Sequence, residues 1–272
     1  DIVDKVNGIS TEELGLANTA SKLRGETGTK VLVEISSESG ELREVDLERR
    51  SVDLRPVRTK RLRNDSHTLG YLRITQFSES VPKKVDEALQ ELKEKEVEGL
   101  ILDLRNNSGG LVSSGIAVAN SLLSERPVVE TKNRNGIKDA IISEKETSFD
   151  GPMVTLVNKG TASASEILAG SLQDNGRSIL MGEKTYGKGL IQSLKSLGEE
   201  SGIAITVASY LTPKGNNIQG QGITPDKLLD LPEASEYGSA DDKWVRNAEL
   251  FLESLLEKEE VSIQQSELSN EE

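Results

Sequence analysis

The chain has 272 residues, 35% hydrophobic and 29% charged, the make-up of a globular protein with one large domain or a core plus a small module. Its net charge of −13 argues against nucleic acid or an anionic membrane surface as partner, and aromatics at 3% leave no stacking platform for bases or sugars. The absence of cysteine excludes disulfides and thiolate metal sites, and no apolar run approaches the ~18 residues of a membrane span.

The chain opens on Asp1-Ile2-Val3-Asp4, so a targeting segment is expected to be absent from it. Residues 10–24 predict a helix capped by Ser10 or Thr11 and stopped at Gly25. Alternation over 30–35 and 42–47, around the turn at 37–40, predicts a hairpin. From residue 55 a basic linker containing Pro56 is expected to lead into a strand at 69–75. A helix follows over 81–96, apolar at positions 85, 88 and 92. Gly99–Leu104 is nearly continuous in apolar residues, as in a central strand covered on both faces. Helices over 110–123 and 163–173 and strands over 152–158, 178–182 and 202–211 complete an α/β alternation. An amphipathic helix over 241–256 is expected to precede a loosely held acidic tail, 257–272.

A hydrolase of this composition has no thiol to use, and the single histidine, His67, which could activate a hydroxyl, lies in a polar stretch that reads as a solvated loop. The remaining route is a serine activated by a lysine. Gly160-Thr161-Ala162-Ser163-Ala164-Ser165-Glu166 puts Ser163 between a strand and a helix, where free N–H groups and the helix dipole favour negative charge. A serine at that position also serves as an ordinary helix cap. Lys188 lies 25 residues later between Gly187 and Gly189, with Gln192 four residues on to orient its amine. A lysine is a base only as the neutral amine, so its surroundings must disfavour charge. Asp103-Leu104-Arg105-Asn106-Asn107-Ser108-Gly109-Gly110 ends the central strand in a turn with exposed N–H groups, suited to an oxyanion hole. A phosphate loop would need G-x-x-x-x-G-K-[ST], which is absent. Glu166 reads as a hydrogen-bond partner behind the nucleophile, and no carboxylate set resembles a metal loop, so no cofactor is expected.

These segments resemble the C-terminal processing peptidases, or tail-specific proteases. The match rests on residues 103–110, 158–166, 182–189 with Gln192, and the closing Gly222-Ile223-Thr224-Pro225-Asp226, and spans about 1–232. The resemblance implies Ser163 as nucleophile, Lys188 as general base and Gln192 as its assistant. Gly109 or Gly110 and Ala164 would be the oxyanion donors, with Glu166 and Thr185 in support. It also implies a Clp peptidase/crotonase-like core with a PDZ domain that binds substrate C-termini. The expected division is 1–54 for the last part of a PDZ domain, 55–238 for the peptidase core and 239–272 for the final helix and tail. Residues 1–10 match the middle of the family's PDZ domain, and Arg24 is a candidate contact between PDZ and core. The wording of 158–176 is similar to cyanobacterial and plastid members, which mature a photosystem II reaction-centre precursor in the thylakoid lumen; periplasmic members are nearly as similar. The expected partners are proteins or peptides with free C-termini, membrane-protein tails included. Two rivals share the fold: a non-catalytic ligand-binding protein and a crotonase-like acyl-CoA enzyme.

Overall fold

Five consecutive residues, Gly99–Asp103, are buried, and the remaining large elements are layered around that strand. The structure, a computed structural model, describes residues 2–37, 40–50, 55–63, 66–136, 138–144, 146–196, 202–230, 234 and 236–270. It divides into two units, 1–55 and 56–272.

The first unit is a four-stranded sheet with one helix. In chain order it holds β1 (Ile2–Val6), β2 (Ile9–Ser10), α1 (Thr11–Leu23), β3 (Lys30–Ser36) and β4 (Leu42–Glu48), with strand order β2-β1-β3-β4. The expected hairpin is the antiparallel pair β3–β4, although residues 38–39 of its turn lie outside the described residues. Ser10 caps α1 by accepting the Glu12 N–H, and the helix is interrupted at Gly15, whose φ of 69° is left-handed. The unit's core is small: Val6, Val31 and Val33 are buried, with Val3, Leu23 and Ile35 packed on them.

The second unit begins with β5 (Val57–Arg63), β6 (Thr68–Ile74), α2 (Val81–Glu94), β7 (Gly99–Asp103) and α3 (Val112–Leu122). Then come β8 (Pro127–Asn133), β9 (Lys138–Ile142), β10 (Met153–Val157), α4 (Ala164–Asp174) and β11 (Ile179–Gly182). It ends with β12 (Leu190–Ser196), β13 (Gly202–Leu211), β14 (Lys227–Leu228) and α5 (Lys243–Asn270). Its main sheet has the order β14-β11-β10-β7-β6-β5, parallel except for β5. The second sheet, β12-β13-β8-β9, is antiparallel.

Side chains alternate across a strand, so β7 divides its apolar run between two cores. Leu100 and Leu102 join Val85, Ala88, Leu92 and Leu168 from α2 and α4. Ile101 faces the other way, into Val154, Leu156, Met181, Trp244 and Leu252 beside α5. Helices therefore cover both faces of the parallel strands, as the continuous apolar run requires.

Three sequence expectations need correction. The linker from residue 55 contains β5, an antiparallel edge strand along β6; its basic residues are tolerated because an edge strand keeps one side in water. The expected tail is helical to Asn270, and among the described residues no helix is long and apolar enough to cross a membrane. His67 is not solvated. It is 5% exposed, with Nδ1 2.9 Å from Glu98 Oε2, while the other Glu98 oxygen accepts the Thr68 N–H at 2.8 Å.

Burial raises the Glu98 carboxyl, but the Thr68 N–H and His67 outweigh it and hold the group below the usual carboxylate range. A depressed carboxyl stabilises the fold above its unfolded-state value of about 4.3, and that contribution is lost as pH falls through the folded-state value. Wild type should therefore resist urea better than Glu98→Gln near pH ~7, and the two should converge near pH ~2.5. Equal midpoints near neutral pH would show that the pair contributes nothing.

Candidate active site

Parallel α/β sheets present ligand sites at the carboxyl ends of their strands, and here three loops meet there, after β7, β10 and β11. The loop after β7 is folded by its own amides. Asn107, buried, accepts the Gly109 N–H at 2.9 Å on its side-chain oxygen and donates to the Ile74 carbonyl at 2.9 Å. Its main-chain oxygen accepts the Ala162 N–H at 3.0 Å and the Ser165 hydroxyl at 2.9 Å. The turn carrying Gly109 is thus stapled to the turn carrying Ser163.

Contact between the two turns leaves no room for a side chain. A Cβ on Gly109, at φ 98°, would lie 2.8 Å from Ser163 Cβ and 3.1 Å from the Ala164 nitrogen. One on Gly110, at φ 138°, would lie 2.0 Å from the Phe77 carbonyl oxygen. Only glycine fits either position. Among the described residues the N–H groups of Gly110 and Ala164 have no hydrogen-bond acceptor, whereas that of Gly109 is engaged by Asn107.

Ser163 is half-buried at the N-terminus of α4 with φ 60° and ψ −120°, a conformation that costs a non-glycine residue on the order of 1–3 kcal/mol. Sharp strand-to-helix turns of this kind lift a serine hydroxyl clear of its neighbours. Glu166, fully buried, holds the turn. Its Oε2 accepts the Ser163 N–H at 2.9 Å and the Lys188 N–H at 2.8 Å. Its Oε1 accepts the Thr185 hydroxyl at 2.6 Å and the Gly187 N–H at 2.7 Å. One carboxylate oxygen therefore joins the backbones of Ser163 and Lys188. Thr185 Oγ1 in turn accepts the Ile223 N–H at 2.7 Å, which ties in the segment 222–226.

The sequence-predicted residues Ser163, Ala164, Glu166, Thr185 and Gly109 thus come together with the backbone of Lys188. The Lys188 side chain is exposed. Gln192 lies on β12, where the register with β13 shifts between Ile191 and Gln192, and its side chain lies outside the described residues. Arg24 belongs to the first unit, where its backbone caps α1 and its side chain is exposed.

A charge cluster behind the first loop escaped the sequence reading. Arg105, fully buried, donates to both oxygens of Asp103 at 3.0 and 2.6 Å and to both of Asp242 at 3.1 and 2.6 Å. Arg73 reaches Asp103 at 3.0 Å and the Arg105 carbonyl at 3.1 Å, and the Tyr71 hydroxyl donates to Asp103 at 2.6 Å. Two arginines and two aspartates neutralise one another, the condition under which charges remain buried. Burial alone would raise the Asp242 carboxyl, but bonds from Arg105 and the Gly238 N–H hold it below the usual range. Part of this was legible: Asp103 and Arg105 share a strand face at the end of an apolar run, and Arg73 pairs with Asp103 on β6.

A model of peptidase family S41 matches residues 68–229. The chain belongs to peptidase family S41. Within that family it is similar to the carboxyl-terminal-processing protease of Synechocystis, at 46% identity over 236 residues, 85% of this chain and 55% of that protein. It is also similar to the chloroplastic carboxyl-terminal-processing peptidase 2 of Arabidopsis thaliana, at 38% identity over 84% of this chain and 46% of that protein. The solved photosystem II D1 C-terminal processing protease is 36% identical, with a TM-score of 0.68 over 84% of this chain and 62% of that one. A Streptococcus agalactiae lipoprotein, 20% identical with a TM-score of 0.54 over 72% of this chain and 69% of that one, shares the fold alone. This S41 chain spans about half the length of the curated relatives it matches.

Glu166→Gln replaces one acceptor oxygen with an NH2 group that faces donors. Since a hydrogen bond to a charged group contributes ~1.5–3 kcal/mol, this variant should lose about 2–3 kcal/mol in chemical unfolding. Wild-type stability would mean that the four bonds to the carboxylate do not hold the site together.

Proposed function

We propose that this chain carries the catalytic part of a serine endopeptidase that cleaves protein substrates near their C-termini through Ser163 and Lys188. The observation that carries the reading is the pair of backbones held on one Glu166 oxygen, combined with the position of His67. The only histidine precedes β6, and its partner Glu98 precedes β7, at the amino ends of strands whose carboxyl ends lead into the Ser163 region. No imidazole is within the reach that a Ser-His-Asp mechanism requires. Lysine is then the available base, and bound substrate would exclude the water that now reaches it.

In this mechanism Ser163 Oγ attacks the scissile carbonyl as its proton passes to the neutral Lys188 amine. The oxyanion is received by the N–H groups of Gly110 and Ala164, neither of which has an acceptor among the described residues. The Gly109 N–H already serves Asn107, so Gly109 contributes by fitting against Ser163 rather than by donating. Protonated Lys188 then gives the proton to the leaving amine, and water hydrolyses the acyl-Ser163 ester by the reverse transfers. Gln192 orients the amine, and Thr185 and Glu166 fix the loops.

The core, about residues 55–238, is read as Clp peptidase/crotonase-like, with 239–272 as the closing helix and tail. Residues 1–54 are read as the last part of a PDZ domain, with α1 forming one wall of its groove. A PDZ groove holds a peptide as an added strand and captures its carboxylate, which suits selection of free C-termini. The similarity to a photosystem II D1 C-terminal processing protease supports a reaction-centre precursor as substrate, in a thylakoid lumen or periplasm.

With an internally quenched peptide, Ser163→Ala should remove cleavage. Lys188→Arg should lower kcat at least about a thousandfold without lowering the melting temperature, because a guanidinium stays protonated. Cleavage by Lys188→Arg near the wild-type rate would remove Lys188 from the mechanism. Tight peptide binding without any cleavage by wild type would favour the non-catalytic reading.

A further inference from the structure

The segment after β14 lies beyond the stretch matched by the S41 family model, yet it packs against the loop that leads to Gly109 and Gly110. The point of contact is Asn106, at φ 54° in the left-handed region that asparagine tolerates better than most residues. Both ends of its side chain are used. Oδ1 accepts from Asn158 Nδ2 at 3.0 Å, and Nδ2 donates to the Tyr237 hydroxyl at 2.5 Å. Asn158 returns the contact by accepting the Asn106 N–H at 2.8 Å and the Gly160 N–H at 3.1 Å, three residues before Ser163. A Cβ on Gly160 would lie 2.2 Å from Asn106 Oδ1, so the Ser163 loop is built around this one side chain.

Tyr237 is itself held in place. The Arg73 and Arg105 guanidinium carbons lie 4.3 and 4.4 Å from its ring centroid, within the range where the negative face of an aromatic ring attracts a cation. Asp242, while binding Arg105, accepts the N–H of the next residue, Gly238, at 2.8 Å. The Gly238 turn, at φ 76°, rests so closely on the Tyr71 ring that a Cβ there would be 2.8 Å from Cε1. A hydroxyl fixed this firmly sets the position of the amide it contacts.

We propose that Tyr237 is a positioning residue for the peptidase reaction. Through Asn106 it sets the spacing between the Gly110 turn and the Ser163 turn, and so the geometry of the two N–H groups that receive the oxyanion. This rests on the Ser163 peptidase reading above. Displacements of about 1 Å cost reaction rates up to ~100-fold while leaving most of the binding surface intact, so the effect belongs in kcat.

The test is Tyr237→Phe in the full chain, which keeps the ring against the two arginines and removes only the hydroxyl. Cleavage of an internally quenched peptide is followed, with Ser163→Ala as control and the emission of Trp244 as a reporter of the cluster. Trp244 is the sole tryptophan, fully buried, with its ring 5.5 Å from the Arg105 guanidinium. The expected result is a kcat lower by about tenfold, a KM within about twofold, and unchanged melting temperature and Trp244 emission. In an Asn106→Ser background, Tyr237→Phe should then add nothing, because its effect passes through Asn106. An unchanged kcat would overturn the proposal, as would a raised KM alone, a loss proportional to the unfolded fraction, or full additivity with Asn106→Ser. Cleavage that survives in Ser163→Ala would instead overturn the peptidase reading.

Discussion

A carboxylate without solvent contact must find its hydrogen bonds inside the protein, and Glu166 finds four, drawn from both sides of the candidate site. Three of the donors are main-chain N–H groups, so the interaction fixes backbone rather than rotamers. It sets the entry to α4, where Ser163 is held at positive φ, and it sets the Gly187–Lys188 turn across from it. The strain at Ser163 and the burial of the negative charge are each tolerated because the other is present. Removing the carboxylate would release both loops together.

A second layer makes that arrangement rigid. Asn158 binds the loop after β7 to the loop after β10 through its side-chain amide, and Asn107 does so through its main-chain oxygen while its own amide folds the first loop. Behind them, Asp103, Arg105, Arg73 and Asp242 form a neutral buried group that fastens the end of β7 to the start of α5. A buried ion cluster is weak evidence of stability in itself, but removing one member would strand its partners without compensation. The helix most distant in sequence therefore bears on the loop nearest the nucleophile.

The sequence made the main sheet legible where burial on both faces left an unbroken apolar run, as at Gly99–Leu104. It concealed β5, because Arg58, Lys60, Arg61 and Arg63 on an edge strand look like a linker. It concealed the burial of His67, which depends on Glu98, 31 residues away. Ser163, Lys188 and the two glycines stood out through spacing and neighbours that few other roles require. Glu166 was legible as a supporting residue on the first turn of α4, but its bonds to Thr185, Gly187 and Lys188 exist only once β10 and β11 are paired. Tyr237 and Asp242 carried no local signal, since their partners lie more than 130 residues earlier.

The proposed function turns on one step, acylation of Ser163 with Lys188 taking its proton. The direct measurement is intact-mass spectrometry of the full chain, quenched early in its reaction with an activated peptide ester, followed by mapping of the adduct. A single acyl group is expected on Ser163 in the wild type, and its appearance should be at least about a hundredfold slower in Lys188→Arg. An adduct on another residue, or equal acylation rates in the two proteins, would contradict it.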